Sequence, residues 1–210
     1  MIQKNSNEHL LPITDFIQFL EKIGGIRVQS KMLATELANY IEHNGLSTTS
    51  RQWGINRVTL SGYRKGRSIP LSITSKLFPG REFYMFPDVR FCAGRGGSMN
   101  HVRIPVQLTS GLAYLIGALR DGYVGITQSK DYFVTYIGSN RQWLSNINKR
   151  FLAIFGISLK FREGRPGCYY LERSLKPILY LFHFLFDHPL GNQKEWRYPK
   201  NLTRASEQHQ

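Results

Sequence analysis

Asp121 is the residue of this sequence whose position best suits it for chemistry, because it ends a long apolar stretch. Ala113, Gly117 and Asp121 recur every four residues, so a helix would place them on one face. Small residues at this spacing let two helix backbones approach closely, and a second copy of the helix would then bring two carboxylates together. Like charges that close need a cation between them, and Mg²⁺ accepts carboxylate oxygens and can activate water beside a phosphodiester. The alternative is an ordinary surface acid at a helix end.

The stretch around Asp121 has the pattern of a helix followed by a strand. Large apolar side chains at helical spacing form a second face of this helix, namely Leu112, Leu115, Ile116 and Leu119. Gly122 is predicted to adopt the left-handed conformation that ends a helix. From Thr109 onward the pattern predicts the order α-β-β-α-β-β-α, with strands at 123–128, 132–138, 157–162 and 168–173 and later helices at 141–155 and 175–186.

This order, with the segment LAYLIGALRDGYV as its first helix, resembles the LAGLIDADG homing-endonuclease family over about residues 108–203. Two later segments also carry the resemblance: DYFVTYIGSNRQWLSNINKRFLAIFGI and LKFREGRPGCYYLERSLKPILYLFHFL. The resemblance implies a saddle with an antiparallel four-stranded sheet that lies on DNA, and two signature helices paired at its centre. It also implies that Asp121 and Gly122 hold Mg²⁺ or another hard divalent cation, and that Lys194 lies near the cleaved phosphate.

The sequence departs from the family pattern in two ways. Arg120 stands where the family has a small residue, so it either crowds the paired helices or points outward to contact a phosphate. The chain also has a single signature helix, whereas a complete site needs two. We therefore expect a homodimer, and the alternatives are half of a two-motif enzyme or a degenerate relic.

Alternate residues of a strand share a face, and this rule selects the candidate DNA-binding residues of the saddle. Tyr123, Gly125 and Thr127 share one face, whereas Gln128 belongs to the other. Polar and basic side chains on one face suit base-edge hydrogen bonds and phosphate neutralisation, although half-exposed strands often carry Lys and Arg without such a role. The candidates in this part of the chain are Tyr123, Gly125, Thr127, Gln128, Lys130, Lys160, Arg162, Arg165 and Tyr170.

A second basic region precedes the saddle. Residues 46–81 include seven Lys and Arg and no Asp or Glu. The segment STTSRQWGINRVTLSGYRKGRSIP resembles the repressor-type helix-turn-helix family over about residues 31–78, with Gly54 at the turn and Val58 in the core. Such a motif places polar and basic side chains in the major groove. The candidates here are Arg51, Asn56, Arg57, Thr59, Ser61, Tyr63, Arg64, Lys65 and Arg67. A helical bundle with a solvated basic face is the alternative.

The composition agrees with a nucleic-acid partner. The 210 residues include 28 Lys and Arg against 14 Asp and Glu, a formal charge of +14 that favours a polyanion. Cys92 and Cys168 are isolated, which predicts ordinary thiols rather than zinc ligands. The sequence has no run of about 18 apolar residues and no signal-peptide core, which predicts a cytoplasmic protein without a membrane partner.

These patterns together predict an α+β protein. Residues 1–80 form an all-α helix-turn-helix domain, 81–107 a linker, 108–203 an αββαββα domain of LAGLIDADG type, and 204–210 a tail. The predicted function is site-specific, Mg²⁺-dependent cleavage of double-stranded DNA by a homodimer. The alternatives on the same fold are a catalytically inactive DNA-binding regulator and an RNA-binding helper of intron splicing.

Overall fold

A computed structural model of the chain describes residues 10–80, 82–93, 100–129 and 131–191. Within these residues it contains eight α-helices and two antiparallel sheets, which confirms the α+β class. The described residues fall into two compact units, 10–16 with 102–191, and 17–101. In these same ranges, no helix combines the length and the apolar character needed to cross a bilayer.

The unit of residues 17–101 combines short helices with a small sheet. A first helix, α1, spans Ile13–Ile23 and ends inside this unit. The following elements are β1 Ile26–Gln29, α2 Lys31–Asn44, α3 Leu46–Trp53, α4 Arg57–Arg64, β2 Ile69–Pro70, α5 Leu71–Leu77, a 3-10 helix Glu82–Met85 and β3 Arg90–Ala93. The sheet has the order β2-β1-β3 and all its pairings are antiparallel.

This small sheet corrects the prediction of an all-α N-terminal region. β1 alternates buried Ile26 and Val28 with half-buried Arg27 and Gln29, which is the period of a strand. The strand is only four residues long, between two glycines and the N-cap of α2, so the helical patterns on either side hide it. Its partner β3 lies in the stretch 81–107, for which the sequence predicts a linker, and β2 is only two residues long.

The second unit has the element order predicted from the sequence. Its elements are α6 Ser110–Ala118, β4 Tyr123–Ile126, β5 Tyr132–Gly138, α7 Arg141–Phe155, β6 Lys160–Glu163, β7 Tyr169–Ser174 and α8 Lys176–Phe186. The four strands form one antiparallel sheet in the order β4-β5-β7-β6. Two of the predicted strands are shorter than the sequence pattern suggests: β4 ends at Ile126, before the turn that contains Gln128, and β6 begins only at Lys160.

The helices of this unit cover one face of the sheet. Tyr136 is fully buried on that face, where its ring lies 6.3 Å from the ring of Phe151 in α7. Side chains alternate along each strand, and residues paired across strands share a face. The strand registers therefore place one set of residues on the side away from Tyr136, which we call the outer face: Tyr123, Gly125, Phe133, Thr135, Ile137, Lys160, Arg162, Tyr170, Glu172 and Ser174.

Gly122 connects α6 to this sheet, and its predicted left-handed conformation is wrong. Its φ is −121° and its ψ is −158°, which is extended backbone. The helix instead tightens into a 3-10 turn over Leu119–Asp121, where the N–H of Gly122 donates to the carbonyl of Leu119 at 3.0 Å. A Cβ on Gly122 would lie 2.1 Å from the carbonyl oxygen of Thr135 in β5. Glycine is needed here because two backbones approach closely.

Substitution of Gly122 by alanine should therefore disrupt the junction between α6 and the sheet. We expect Gly122→Ala to lower the free energy of unfolding by about 3 kcal/mol, because the Cβ meets rigid backbone. Gly125→Ala, in the strand that follows Gly122, is the matched control, since its Cβ would lie 3.5 Å from the Tyr123 ring, an ordinary contact. The control should change stability by less than about 1 kcal/mol. Guanidinium unfolding followed by circular dichroism measures both, and equal effects would contradict the steric account.

Candidate functional site

The candidate site is built on α6, which is fixed to the sheet by its large side chains. The hydroxyl of Thr109 caps the helix by accepting from the N–H of Leu112 at 3.2 Å. Leu112, Leu115 and Ile116 are fully buried. The Tyr136 hydroxyl donates to the carbonyl oxygen of Leu115 at 3.2 Å, so a side chain of the sheet bonds directly to the helix backbone.

The small residues of α6 face the other way and line an open groove. This small-residue groove has a volume of about 490 Å³ and is lined by Ser110, Ala113, Tyr114, Gly117, Ala118, Arg120, Asp121 and Trp143. A Cβ placed on Gly117 would meet no atom within 4 Å. The structure thus brings Ala113, Gly117 and Asp121 together on one surface, as their spacing predicts. Trp143 comes from α7, beside α6, and its place in the site was not predicted from the sequence.

Asp121 lies at the end of the groove, where α6 gives way to β4. It is exposed, and within the part of the chain that the structure describes its carboxylate has no hydrogen bond or ion pair. The described residues contain no group of three or more His, Cys, Asp or Glu side chains that could hold a metal ion. A Mg²⁺ ion takes about six oxygen ligands. The carboxylate of Asp121 suits such an ion, but the described residues do not gather around it a group of side-chain ligands that could complete its coordination.

Thr135 is a polar residue near this junction that was not predicted from the sequence. It is fully buried on β5, directly opposite Tyr123, and its carbonyl oxygen faces Gly122. Its hydroxyl oxygen has no hydrogen-bond partner among the described residues, which is uncommon for a buried polar group. In the sequence, Thr135 is a single Thr between apolar residues in the stretch FVTYI. Thr is too common in strands for this pattern to indicate a functional residue.

The predicted DNA-binding residues of the saddle separate into three groups. Tyr123, Gly125, Lys160, Arg162 and Tyr170 share the outer face. Three exposed residues lie in the turns instead: Thr127 and Gln128 after β4, and Arg165 between β6 and β7. The Thr127 hydroxyl lies 2.8 Å from that of Ser129 and accepts from the N–H of Asp131 at 3.0 Å, so it stabilises the turn. Lys130 lies outside the described residues, as does Lys194, the predicted catalytic lysine.

The residues at the centre of the helix-turn-helix candidate lie on α3, on α4 and in the turn between them. Gly54 takes the left-handed conformation, with φ 64° and ψ 32°, at the C-terminus of α3. The Asn56 side chain caps α4 by accepting from the N–H of Val58 at 2.8 Å. The predicted residues with exposed side chains are Arg51, Asn56, Arg57, Thr59, Arg64, Lys65 and Arg67, and Ser61 is half-buried.

Two residues of α4 lie on faces opposite to those the sequence predicts. Tyr63 is 7% exposed, and the guanidinium of Arg27 lies 5.7 Å from its ring centroid. Val58, which we expected in the core, is 77% exposed. The buried face of α4 is set by Leu60 and Tyr63, three residues apart, and Val58 precedes Leu60 by two residues, about 200° around the helix. Tyr63 is therefore a core residue, and Val58 joins the exposed basic face.

Comparison with known proteins relates part of the chain to a homing endonuclease. No protein-family model matches the chain. The chain is similar to the homing endonuclease I-ApeI of Aeropyrum pernix, with 30% identity over 95 residues. The similarity covers 43% of this chain and 42% of that protein, so the chain matches less than half of the relative's length.

The bond from Tyr136 to α6 can be tested by stability measurements. Burial raises the pKa of the Tyr136 phenol well above its ordinary value of 10.0, so the hydroxyl remains a donor in the folded protein. We expect Tyr136→Phe to cost about 1 kcal/mol of unfolding free energy at pH 7. Tyr123→Phe is the control, because the described residues offer no hydrogen bond to the Tyr123 hydroxyl.

Comparison of the wild type with Tyr136→Phe also tests how stability depends on pH. Because the pKa of Tyr136 is raised in the folded state, its contribution to stability is present below about pH 10 and is lost at higher pH. The unfolding free energy of the wild type should therefore decrease more steeply above that pH than that of Tyr136→Phe. Parallel curves from pH 7 to 11, measured by denaturant titration, would contradict the burial of this phenol.

Proposed function

We propose that this chain binds duplex DNA and, as a homodimer, cleaves it at specific sites by metal-assisted phosphodiester hydrolysis. The observation that carries the proposal is the position of Asp121, exposed at the end of an open small-residue groove and beside a four-stranded antiparallel sheet. The similarity to a homing endonuclease supports the same class of reaction. The arrangement is that expected of the LAGLIDADG family.

A second copy of the chain is the partner that the small-residue groove favours. Gly117 and Ala113 leave room for another backbone, and a helix with the same small residues has the shape to use it. A twofold axis along this contact would bring the groove ends, and hence two copies of Asp121, side by side. Such a pairing would account for a carboxylate that, among the described residues of one chain, has no hydrogen bond or ion pair.

The proposed metal site combines the Asp121 carboxylates and the backbone carbonyl groups of Gly122 from both copies. Hard oxygen ligands of this kind suit Mg²⁺ or a similar divalent cation, which would neutralise the phosphate and activate water. The protein's part is to hold these oxygens in place, and the close contact of Gly122 with Thr135 supports this role. Lys194 is proposed to polarise the attacking water.

Two surfaces are proposed to bind the DNA. The outer face of the sheet offers Tyr123, Lys160, Arg162 and Tyr170, which combine phosphate neutralisation with base-edge contacts. The exposed face of α4, with Arg57 and Thr59, is proposed as the recognition helix of a repressor-type helix-turn-helix. The high net charge of +14 supports binding to a polyanion.

Arg120 favours a second candidate function, a DNA-binding regulator without cleavage. Arg120 is exposed and lines the same groove as Asp121. In a dimer, two guanidinium groups beside the carboxylates would repel a metal cation and weaken its binding. An RNA-binding helper of intron splicing on the same surface is the third candidate, and competition between intron RNA and duplex DNA separates it from the other two.

Cleavage of a randomised duplex library with Mg²⁺ tests the catalytic claim. We expect Asp121→Asn to lower cleavage by more than about a hundredfold, since it removes charge from a ligand of the metal. Binding of the same duplexes in EDTA should stay unchanged. Glu163→Gln is the matched control, because it removes an exposed carboxylate from β6 on the face away from the proposed DNA. If wild type and Asp121→Asn give the same products, the catalytic role of Asp121 fails. A wild type that binds specific duplexes but gives no cleavage products favours the regulator.

The homodimer is tested by filling the small-residue groove. We expect Gly117→Leu to shift a dimer to monomer in sedimentation equilibrium, because its side chain would occupy the space required by the second helix. The fold of the monomer should persist, since that space is open in the single chain. Ser145→Leu, on the exposed surface of α7, is the control and should leave association unchanged. A wild type that cleaves DNA while remaining monomeric, with and without DNA, would contradict the dimer.

A further inference from the structure

Two cations on the outer face of the sheet have different surroundings. Lys160 and Arg162 are two residues apart on β6, and Glu172 of β7 lies directly opposite Lys160 in the register. The Glu172 carboxylate nevertheless pairs diagonally with Arg162: Nε lies 2.8 Å from Oε1, and Nη2 donates to Oε2 at 2.9 Å. Among the described residues, Lys160 has no ion-pair partner.

Tyr170 holds Arg162 from a second side. It lies directly opposite Arg162 in the register, and the guanidinium carbon lies 5.3 Å from the ring centroid. The ring itself lies against Gly164, where a Cβ would come within 2.4 Å of Cε2. A glycine at the start of the hairpin turn thus makes room for the ring. The Arg162 side chain remains 59% exposed, although both contacts restrict its orientation.

The atoms of Arg162 that remain available define what it can bind. Glu172 takes the edge formed by Nε and Nη2, so the end of the guanidinium, with Nη1 and the second hydrogen of Nη2, is left as a fork of two parallel donors. Such a fork matches O6 and N7 of guanine in the major groove. A phosphate is a poorer partner, because Glu172 already neutralises the charge and would itself repel the phosphate.

We propose that Arg162 reads a guanine in the bound duplex, with Glu172 and Tyr170 as positioning residues, and that Lys160 contacts a phosphate. This inference rests on the proposed DNA binding by the outer face. It assigns Arg162, which is paired with Glu172, to sequence recognition. It assigns Lys160, which has no ion-pair partner among the described residues, to affinity. Each half-site would contain the guanine once, because each copy of the chain has one Arg162.

The experiment selects duplexes from a randomised library in EDTA and then measures dissociation constants over a range of salt concentrations. The selected duplex is compared with versions in which each recurrent guanine is replaced. We expect the wild type to prefer guanine at one position of each half-site by about tenfold or more. Arg162→Lys should abolish that preference while leaving the affinity for the substituted duplex unchanged, since a lysine keeps the charge but lacks the fork.

Two further variants separate positioning from simple charge effects. Glu172→Gln should weaken the guanine preference while raising affinity for every duplex and steepening the salt slope by about 0.9, because it frees the charge of Arg162. Lys160→Gln should weaken binding to all sequences, reduce the salt slope by a similar amount and leave the guanine preference intact. Thermal unfolding confirms that each variant folds.

Several results would overturn the inference. If Arg162→Lys weakens binding to every duplex equally, or if Glu172→Gln leaves the guanine preference unchanged, Arg162 is not a positioned base reader, and the proposed DNA binding still stands. If the wild type selects no duplex at all, both the inference and the proposed function fail.

Discussion

The close contact between Gly122 and the backbone of β5 is the constraint on which the geometry of the candidate site depends. Because Gly122 has no side chain, the chain passes from the 3-10 turn at the end of α6 into β4 within a single residue, directly against the Thr135 carbonyl. Asp121 is thereby fixed at the boundary between helix and sheet. A longer connection would give its carboxylate a range of positions, whereas a proposed metal ligand must be held within a fraction of an ångström.

The two sides of α6 divide its interactions between the single chain and a second copy. Its large side chains and the Tyr136 hydroxyl anchor it to the sheet, so the helix is stably placed without a partner. Its small side chains leave a groove that the described part of the chain does not fill. A dimer formed there would need no rearrangement of the helix, and the free energy of association would come from packing of preformed surfaces.

The sequence predicted those features that depend on local periodicity. The stripe of Ala113, Gly117 and Asp121, the order of elements after Thr109 and the turn at Gly54 all follow from spacing or from single-residue propensity. The features that it did not predict depend on contacts between distant residues. The conformation of Gly122 is decided by β5, and the small sheet depends on pairing between β1 and β3.

Pairing across strands and helix orientation account for the remaining differences. Glu172 is opposite Lys160 but bonds to Arg162, and only side-chain geometry decides between the two. In α4, Val58 is exposed and Tyr63 is buried, which is the reverse of the prediction, because a short helix with few apolar residues leaves its buried face ambiguous. Thr135 was missed because its significance comes from its buried hydroxyl, which has no hydrogen-bond partner among the residues that the structure describes.

The position of β6 at the end of the four-stranded sheet has a consequence for the behaviour of the protein in solution. All four of its residues are exposed, and such a strand presents free backbone groups that can recruit another chain into an intermolecular sheet. Lys160, Arg162 and Glu163 place charge at three of the four positions, which opposes that kind of aggregation. Lys160 and Arg162, the cations that suit binding to a nucleic acid, thus also help to keep the protein from aggregating in solution.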